Sequence, residues 1–369
     1  MDNLAKKLGF GLMRLPLRNS KIDLSETSSM IKKFIENGCS YFDTAPGYMD
    51  GNSEKVFGEI THDKFRRDEM VIATKLPAWD SRFVHSKKSA EIVFNNSLKN
   101  MKIDYFDNYL FHNMGEERNH FFDKYELWDL VYNKKKEGYI KSFGISFHDK
   151  ANKLDEMLNN HPEIDFVQLQ INCLDWLNPF VESKKCLEIA NKYNKTIIIM
   201  EPLKGGILSN PQKDILEIIN KRNDNPIQFA FDFVNSLQGC TLILSGMSSL
   251  QQVEENIEYF GNFKRFTLEE MHLLNEIDAK VKELEIVQCT SCRYCVNCCP
   301  NKICINEIIN SLNIYEIHQS QVAFNKYYFQ TRDNRGAKQC IKCGKCEKIC
   351  PQHIEIRNYM QKACDIFEA

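Results

Sequence analysis

The chain has 369 residues, 43% of them hydrophobic, enough for one large domain and a second small one. Lys and Arg number 48 against 50 Asp and Glu, and no long basic run occurs, so the charge pattern that nucleic acid requires is absent. Residues Met1 to Leu17 hold no long apolar core and no small-residue cleavage pattern, and no stretch approaches 18 apolar residues; the expectation is a cytoplasmic, soluble protein with neither nucleic acid nor membrane as partner.

In chain order, short apolar runs predict strands at Phe10 to Leu15, Tyr41 to Ala45, Met70 to Leu76, Asn108 to Phe111, Ile140 to Ser146, Phe166 to Ile171, Thr196 to Met200 and Thr241 to Leu244. Between them, apolar positions at helical spacing predict helices at Ser25 to Asn37, Lys88 to Met101, Leu127 to Glu137, Ala151 to Asn159, Glu182 to Tyr193, Ile227 to Ser236 and Leu250 to Tyr259. Eight such alternations predict an α/β fold, a (β/α)8 TIM barrel, with an active site at the C-terminal ends of the strands. A doubly wound open sheet would want a glycine-rich phosphate loop after an early strand, and none is present.

The predicted strand ends carry chemistry. The second runs into Asp43-Thr44-Ala45-Pro46-Gly47-Tyr48, the third ends near Lys75 and the fourth at His112. A carboxylate, a phenol, an ammonium and an imidazole at one barrel mouth suit proton transfer to a carbonyl oxygen. A phenol of ordinary pKa about 10 becomes a usable acid when an adjacent ammonium favours its ionised form, and Asp43 can supply that ammonium with a partner. Taken singly, Lys75 reads as an ion-pair residue and His112 as a core histidine. Together, on consecutive strands, they read as a catalytic group.

Composition shifts near Glu285. Eleven of the fifteen cysteines lie beyond it, while Cys39, Cys173, Cys186 and Cys240 are spread over the earlier part and read as buried thiols. The expected domains are therefore residues 1–284, the barrel, and residues 285–369, a small domain. Two runs mark the latter, Cys289-x2-Cys292-x2-Cys295-x3-Cys299-Pro300 and Cys340-x2-Cys343-x2-Cys346-x3-Cys350-Pro351. This is the bacterial ferredoxin spacing, in which three thiolates hold one cube and the fourth reaches the other cluster. Two 4Fe-4S clusters are expected, one on Cys289, Cys292, Cys295 and Cys350, the other on Cys340, Cys343, Cys346 and Cys299. Cys298 competes with Cys299, which is preferred because it precedes proline. Zinc would use two close cysteines per arm and leave the third without a role. Apolar spacing over Ile305 to Leu312 and Tyr315 to Phe329 predicts a mostly helical, ferredoxin-like domain.

With these elements in place the chain resembles an aldo-keto reductase of the bacterial group that carries a C-terminal ferredoxin-type domain. The resemblance rests on Gly9-Phe10-Gly11-Leu12-Met13-Arg14-Leu15-Pro16, Phe42-Asp43-Thr44-Ala45 with Tyr48, Ala73-Thr74-Lys75, Phe111-His112-Asn113, Gly144-Ile145-Ser146, Glu201-Pro202-Leu203-Lys204-Gly205-Gly206 and Glu255-Asn256. It implies that Tyr48 is the general acid, that Lys75 lowers its pKa, that Asp43 holds Lys75 and that His112 orients a substrate carbonyl. It further implies a nicotinamide cofactor, NADP or NAD, across the barrel mouth, with Ser146 and Gln168 on the carboxamide and the stretch Ser245 to Asn256, including Gly246, Gln252 and Glu255, on the adenosine phosphates. Four positions depart from the family pattern. Phe147 replaces an asparagine, Met200 stands where a tyrosine stacks on the ring, and Gly246 and Gln252 stand where NADPH-specific members place lysine and arginine, which removes charge-assisted contacts to a 2'-phosphate.

The expected function is NAD(P)H-dependent reduction of an aldehyde or ketone, a small-molecule carbonyl substrate. The competing reading is an iron-sulfur electron-transfer or redox-sensing protein with a redox partner, its barrel a docking or cofactor platform. A hydride carries two electrons while each cluster passes one, and no sequence signal places a flavin between them. Aromatic residues in the segments after the strands, Trp79, Phe121, Phe122 and Trp176, are candidates for the wall of a substrate pocket.

Overall fold

Runs such as Ile197-Ile198-Ile199 are buried on both faces of the pleat, as strands of an all-parallel sheet must be when helices cover one side and the sheet closes on the other. In the computed structural model, which describes residues 7–179, 181–283, 286–318, 321–331 and 334–368, eight parallel strands form a closed barrel. They are β1 (Leu8–Gly11), β2 (Tyr41–Asp43), β3 (Val71–Leu76), β4 (Phe106–Met114), β5 (Ile140–Phe147), β6 (Phe166–Gln170), β7 (Thr196–Met200) and β8 (Cys240–Gly246). Each strand pairs with its sequence neighbours, and β8 closes on β1. The register sets the mouth: Gly11 lies level with Asp43 and with Gly246, Ser146 with Gln168, and Gln170 with Met200.

Helices between the strands carry ordinary start signals. Asp23 accepts from the Glu26 amide ahead of Leu24–Glu36, Ser86 accepts from the Ser89 amide ahead of Lys87–Met101, and Asn225 caps Pro226–Asn235 with proline at the first turn. Tyr41, Leu110, Phe166, Ile198 and Leu244 belong to the cluster that fills the barrel interior.

The first strand corrects the expectation of Phe10 to Leu15. Pairing stops at Gly11, after which the Leu12 amide donates to Asp43 O and Leu12 and Leu15 join the core beneath the helices instead of the sheet. Helices also form where none was expected, at Ser53–Thr61, Glu116–Lys124, Lys213–Ile219 and Leu273–Glu283. Within Glu116–Lys124, Phe122 is fully buried against Phe111, ring centroids 4.3 Å apart, so it is packing and not pocket wall. Trp176 likewise packs on Phe233 at 5.2 Å.

Beyond the barrel the chain is helical, with Tyr294–Cys298, Ile305–His318, Gln321–Gln330, Lys345–Ile349 and Ile356–Phe367 around a separate core that includes Ile308, Leu312, Tyr327, Met360 and Phe367. Several expectations touch residues outside those described: 180 in the segment after the sixth strand that carries Trp176, 319 and 320 in the Tyr315 to Phe329 stretch, and 284 and 285 at the domain boundary. Among the described residues, no helix is long and apolar enough to cross a membrane.

Candidate active site

Asp43 ends β2 and Lys75 lies near the end of β3, so adjacent strands bring them side by side. Lys75 Nζ donates to Asp43 Oδ2 at 2.5 Å and to Thr44 O at 2.8 Å, and both side chains are buried. Burial pushes the Asp43 carboxyl up and the Lys75 ammonium down, and in each case the partner's charge opposes the shift. The chain then turns through Tyr48–Gly51, where Met49 and Asp50 take left-handed conformations, and sets the Tyr48 ring over the ammonium with its centroid 4.8 Å from Nζ. His112, on β4, lies edge-on to Tyr48 at 5.8 Å. Burial, with Lys75, His148 and Arg118 nearby, pushes its imidazole well below the usual range, so it is neutral at pH 7. Burial pushes the Tyr48 phenol well above its usual range, with Tyr294, Asp43 and Glu201 adding to the shift.

A cavity at the mouth gathers Asp43, Tyr48 and His112 with Ser146, Gln168, Met200, Ser245, Gly246 and Gln252. Gln168 donates to the Met200 sulfur at 3.6 Å and leaves its own Oε1 buried without a hydrogen-bond partner. That orphaned acceptor fits a carboxamide N–H. Asn256 reaches the cleft only through Ser245, to whose Oγ it donates at 3.0 Å. Glu255 accepts from Gln251 on the helix surface and does not line the cavity.

Sequence reasoning missed His148, Arg14 and Glu201, all of which line this cavity. His148 Nε2 lies 3.1 Å from Ser146 Oγ. Its signal was the two-residue spacing that puts both on one side of an extended chain. Arg14 and Glu201 stand inside motifs already quoted, and only the closed barrel shows that they face the same space.

The roof of the cavity comes from the C-terminal segment: Thr290, Cys292, Tyr294, Pro351 and Gln352. Arg14 donates to Thr290 O at 2.7 Å and Arg118 donates to Lys348 O at 2.9 Å. Gln352 accepts from Lys204 at 2.7 Å, and Lys204 in turn is held by Asp175 at 2.6 Å, both side chains fully buried. Gly205 has φ +64°, and a Cβ there would stand 2.7 Å from Thr290 O, so a glycine lets the two segments meet. Tyr294, between two cysteines of the first run, stacks near Trp79 with centroids 5.2 Å apart, and its hydroxyl is 3.0 Å from His112 Nε2.

The cysteines fall into two sets. Cys289, Cys292 and Cys295 are each pushed up first by burial and further by the other thiols, Cys350 among them. Backbone amides answer that charge: Ser291 N–H donates to Cys289 Sγ at 3.4 Å, and the amides of Tyr294 and of Ile354 and Gln352 point to Cys292 and Cys350. Cys299, Cys340, Cys343 and Cys346 line a second, smaller cavity. Cys298 sits beside that set, its Sγ donating to Cys295 O at 3.4 Å. Among the described residues no group of three or more His, Cys, Asp or Glu is placed to hold a single metal ion.

Residues 288–355 match the 4Fe-4S dicluster domain model, and residues 7–279 match that of the aldo/keto reductase family. An aldo-keto reductase of Mycolicibacterium smegmatis is 24% identical over 278 residues, 75% of this chain and 88% of its own length. An aldo-keto reductase structure from Bacillus halodurans superposes with a TM-score of 0.60 at 20% identity, covering 73% of this chain and 91% of that one. One from Klebsiella pneumoniae, in complex with NADPH, superposes with a TM-score of 0.58 at 19% identity over 73% and 90%. With its closed barrel and strand-end residues, this chain belongs to the aldo/keto reductase family of oxidoreductases, extended by a C-terminal 4Fe-4S dicluster domain.

Proposed function

We propose that this protein is a cytoplasmic, nicotinamide-dependent carbonyl reductase that acts on a small aldehyde or ketone. The observation that carries the reading is the buried Asp43–Lys75 pair beneath the Tyr48 ring, with His112 beside it, on the wall of the cavity that also holds Ser146 and Gln168. Bound in that cleft, NADPH or NADH supplies the hydride; the NADPH complex of the Klebsiella pneumoniae relative supports a nicotinamide cofactor. Ser146 and the free Gln168 Oε1 hold the carboxamide, Met200 lies against the ring, and Ser245, Gly246 and Gln252 take the adenosine phosphates. Asn256 steadies Ser245, and Glu255, on the helix surface, stays outside the cleft. Arg14, on the same wall, is a cation for a phosphate group. Tyr48 gives its hydroxyl proton to the carbonyl oxygen, Lys75 stabilises the phenolate that remains, Asp43 holds Lys75, and neutral His112 orients the carbonyl.

The same reading divides the chain into a barrel of residues 1–284 and a cluster domain of residues 285–369, supported by two separate cores. The domain holds two 4Fe-4S clusters, one on Cys289, Cys292, Cys295 and Cys350 and one on Cys299, Cys340, Cys343 and Cys346. Tyr48→Phe tests the mechanism. Anaerobic protein should lose about a hundredfold or more in carbonyl turnover while nicotinamide affinity is kept. Unchanged turnover would remove Tyr48 as the acid.

One observation favours a second reading. Cys292, a ligand of the first cluster in this scheme, lines the cavity that holds Ser146 and Gln168, so cluster and nicotinamide would be neighbours. Electron exchange between them, and onward to a redox partner, would appear as bleaching of cluster absorbance when NAD(P)H is added anaerobically. No bleaching alongside carbonyl reduction would assign the clusters to stability.

A further inference from the structure

An acid and an orienting imidazole act only within hydrogen-bond reach of the substrate oxygen. In this protein the place between them is taken. The Tyr294 hydroxyl lies 3.0 Å from His112 Nε2, whose ring stands edge-on to that of Tyr48 with centroids 5.8 Å apart, and its presence raises the Tyr48 phenol. Its ring packs on Trp79 at 5.2 Å and stands edge-on to His112 at 5.8 Å. Tyr294 thus puts an oxygen where a carbonyl oxygen would go and an aromatic ring where the body of an aryl carbonyl compound would go.

We propose that Tyr294 is the specificity-determining residue of this site: it holds the carbonyl position, and a substrate reacts only by displacing the phenol, group for group. The inference rests on the carbonyl-reductase reading. It selects aromatic aldehydes and aryl ketones, whose ring replaces the Tyr294 ring on Trp79 while their oxygen meets Tyr48 and His112. Small aliphatic carbonyls make the second contact without the first.

The way out for the phenol is a side-chain rotation. Tyr294 stands between Cys292 and Cys295, and its amide is bonded to the Cys292 sulfur, so a backbone shift would disturb both thiols. The side chain also borders a second cavity, walled by Met13, Leu15, Ile22 and Met49, which can receive an apolar ring. Only the fraction of molecules with the phenol displaced is competent, so Tyr294 raises the apparent dissociation constant by the inverse of that fraction. It leaves kcat at saturation unaltered.

The test uses the anaerobic full-length protein with iron, sulfide and EPR checked for each variant, Tyr294→Ala and Tyr294→Phe. Benzaldehyde binding is measured by calorimetry without cofactor, and KM and kcat for benzaldehyde and propanal are measured with NADPH and with NADH. Tyr294→Ala should bind benzaldehyde about tenfold tighter or more, with KM falling alongside and kcat within about twofold, and propanal should gain less. Tyr294→Phe, which keeps the ring and loses the hydrogen bond with His112, should show a smaller gain in the same direction and carries the test if the alanine variant loses iron. Benzaldehyde affinity unchanged in both variants overturns the assignment. Tighter binding with no turnover by any variant supports the place given to Tyr294 and overturns the reductase reading.

Discussion

Gln352 and Gln170 exchange their amides: Gln352 Nε2 donates to Gln170 Oε1 at 2.7 Å, and Gln170 Nε2 donates to Gln352 Oε1 at 2.9 Å. The pair joins the turn after Cys350 to the end of β6, and Lys204 Nζ adds a third bond to the same Gln352 oxygen. Leaving buried partners unsatisfied costs more than a made bond contributes. Gln352→Ala is therefore expected to lower stability by about 1–3 kcal/mol, measured by urea unfolding of the anaerobic protein. A change no larger than that of an ordinary surface substitution would show that this joint does not hold the roof down.

Gly205 and Gly206 make a matched pair for the same interface. Both have positive φ, +64° and +97°, but only at Gly205 would a Cβ meet backbone, Thr290 O at 2.7 Å; at Gly206 nothing lies within 4 Å. Alanine at either position carries backbone strain of about 1–2 kcal/mol, and only Gly205→Ala also pushes the cluster domain away. Amide hydrogen exchange around residues 289–294 should quicken in Gly205→Ala and stay unchanged in Gly206→Ala. Equal behaviour of the two would mean that the close approach is not maintained in solution.

What could be read from the sequence follows the range of each interaction. Asp43, Lys75 and His112 were legible because each sits at the end of a locally recognisable strand, and barrel closure carries such ends to one place. The first strand was misplaced because the run Phe10 to Leu15 is apolar except at Arg14, and its end is set by what Leu12 and Leu15 pack against, not by the run itself. Phe121 and Phe122, offered by the sequence as pocket wall, stand on the helix Glu116–Lys124, and the packing of Phe122 on Phe111 below it cannot be seen from its neighbours in the chain. Tyr294 and Gln352 were beyond reach. Each meets partners about 180 residues earlier in the chain, and neither the cysteine spacing nor helical periodicity encodes where one domain docks on another.

The two neighbouring cysteines of the first run give a direct test of ligand assignment. Cys299 lines the smaller cavity with Cys340, Cys343 and Cys346, whereas Cys298 turns its sulfur to Cys295 O. Cys299→Ser should cost roughly half of the bound iron and sulfide, since a cube that loses one of four thiolates is labile, while Cys298→Ser should retain nearly all. The reverse pattern in anaerobic iron and sulfide assays would transfer the ligand role to Cys298.

Acid should destabilise the barrel mouth through its histidines. Burial, with Arg118, His353 and Lys75 close by, lowers the His148 pKa to about 3, and burial lowers His112 in the same direction. In the unfolded chain both would titrate near 6.5, so between that value and the folded pKa the unfolded state binds more protons. The His148 contribution is fully present above pH 6.5 and is lost as pH falls toward 3, with a slope of about 1.4 kcal/mol per pH unit inside that window, and His112 acts in the same direction. Urea midpoints of the anaerobic protein at pH 7.5, 6 and 5 should fall in that order, and His148→Gln should shallow the decline. A pH dependence identical in wild type and His148→Gln would mean that His148 is accessible to protons in the folded protein.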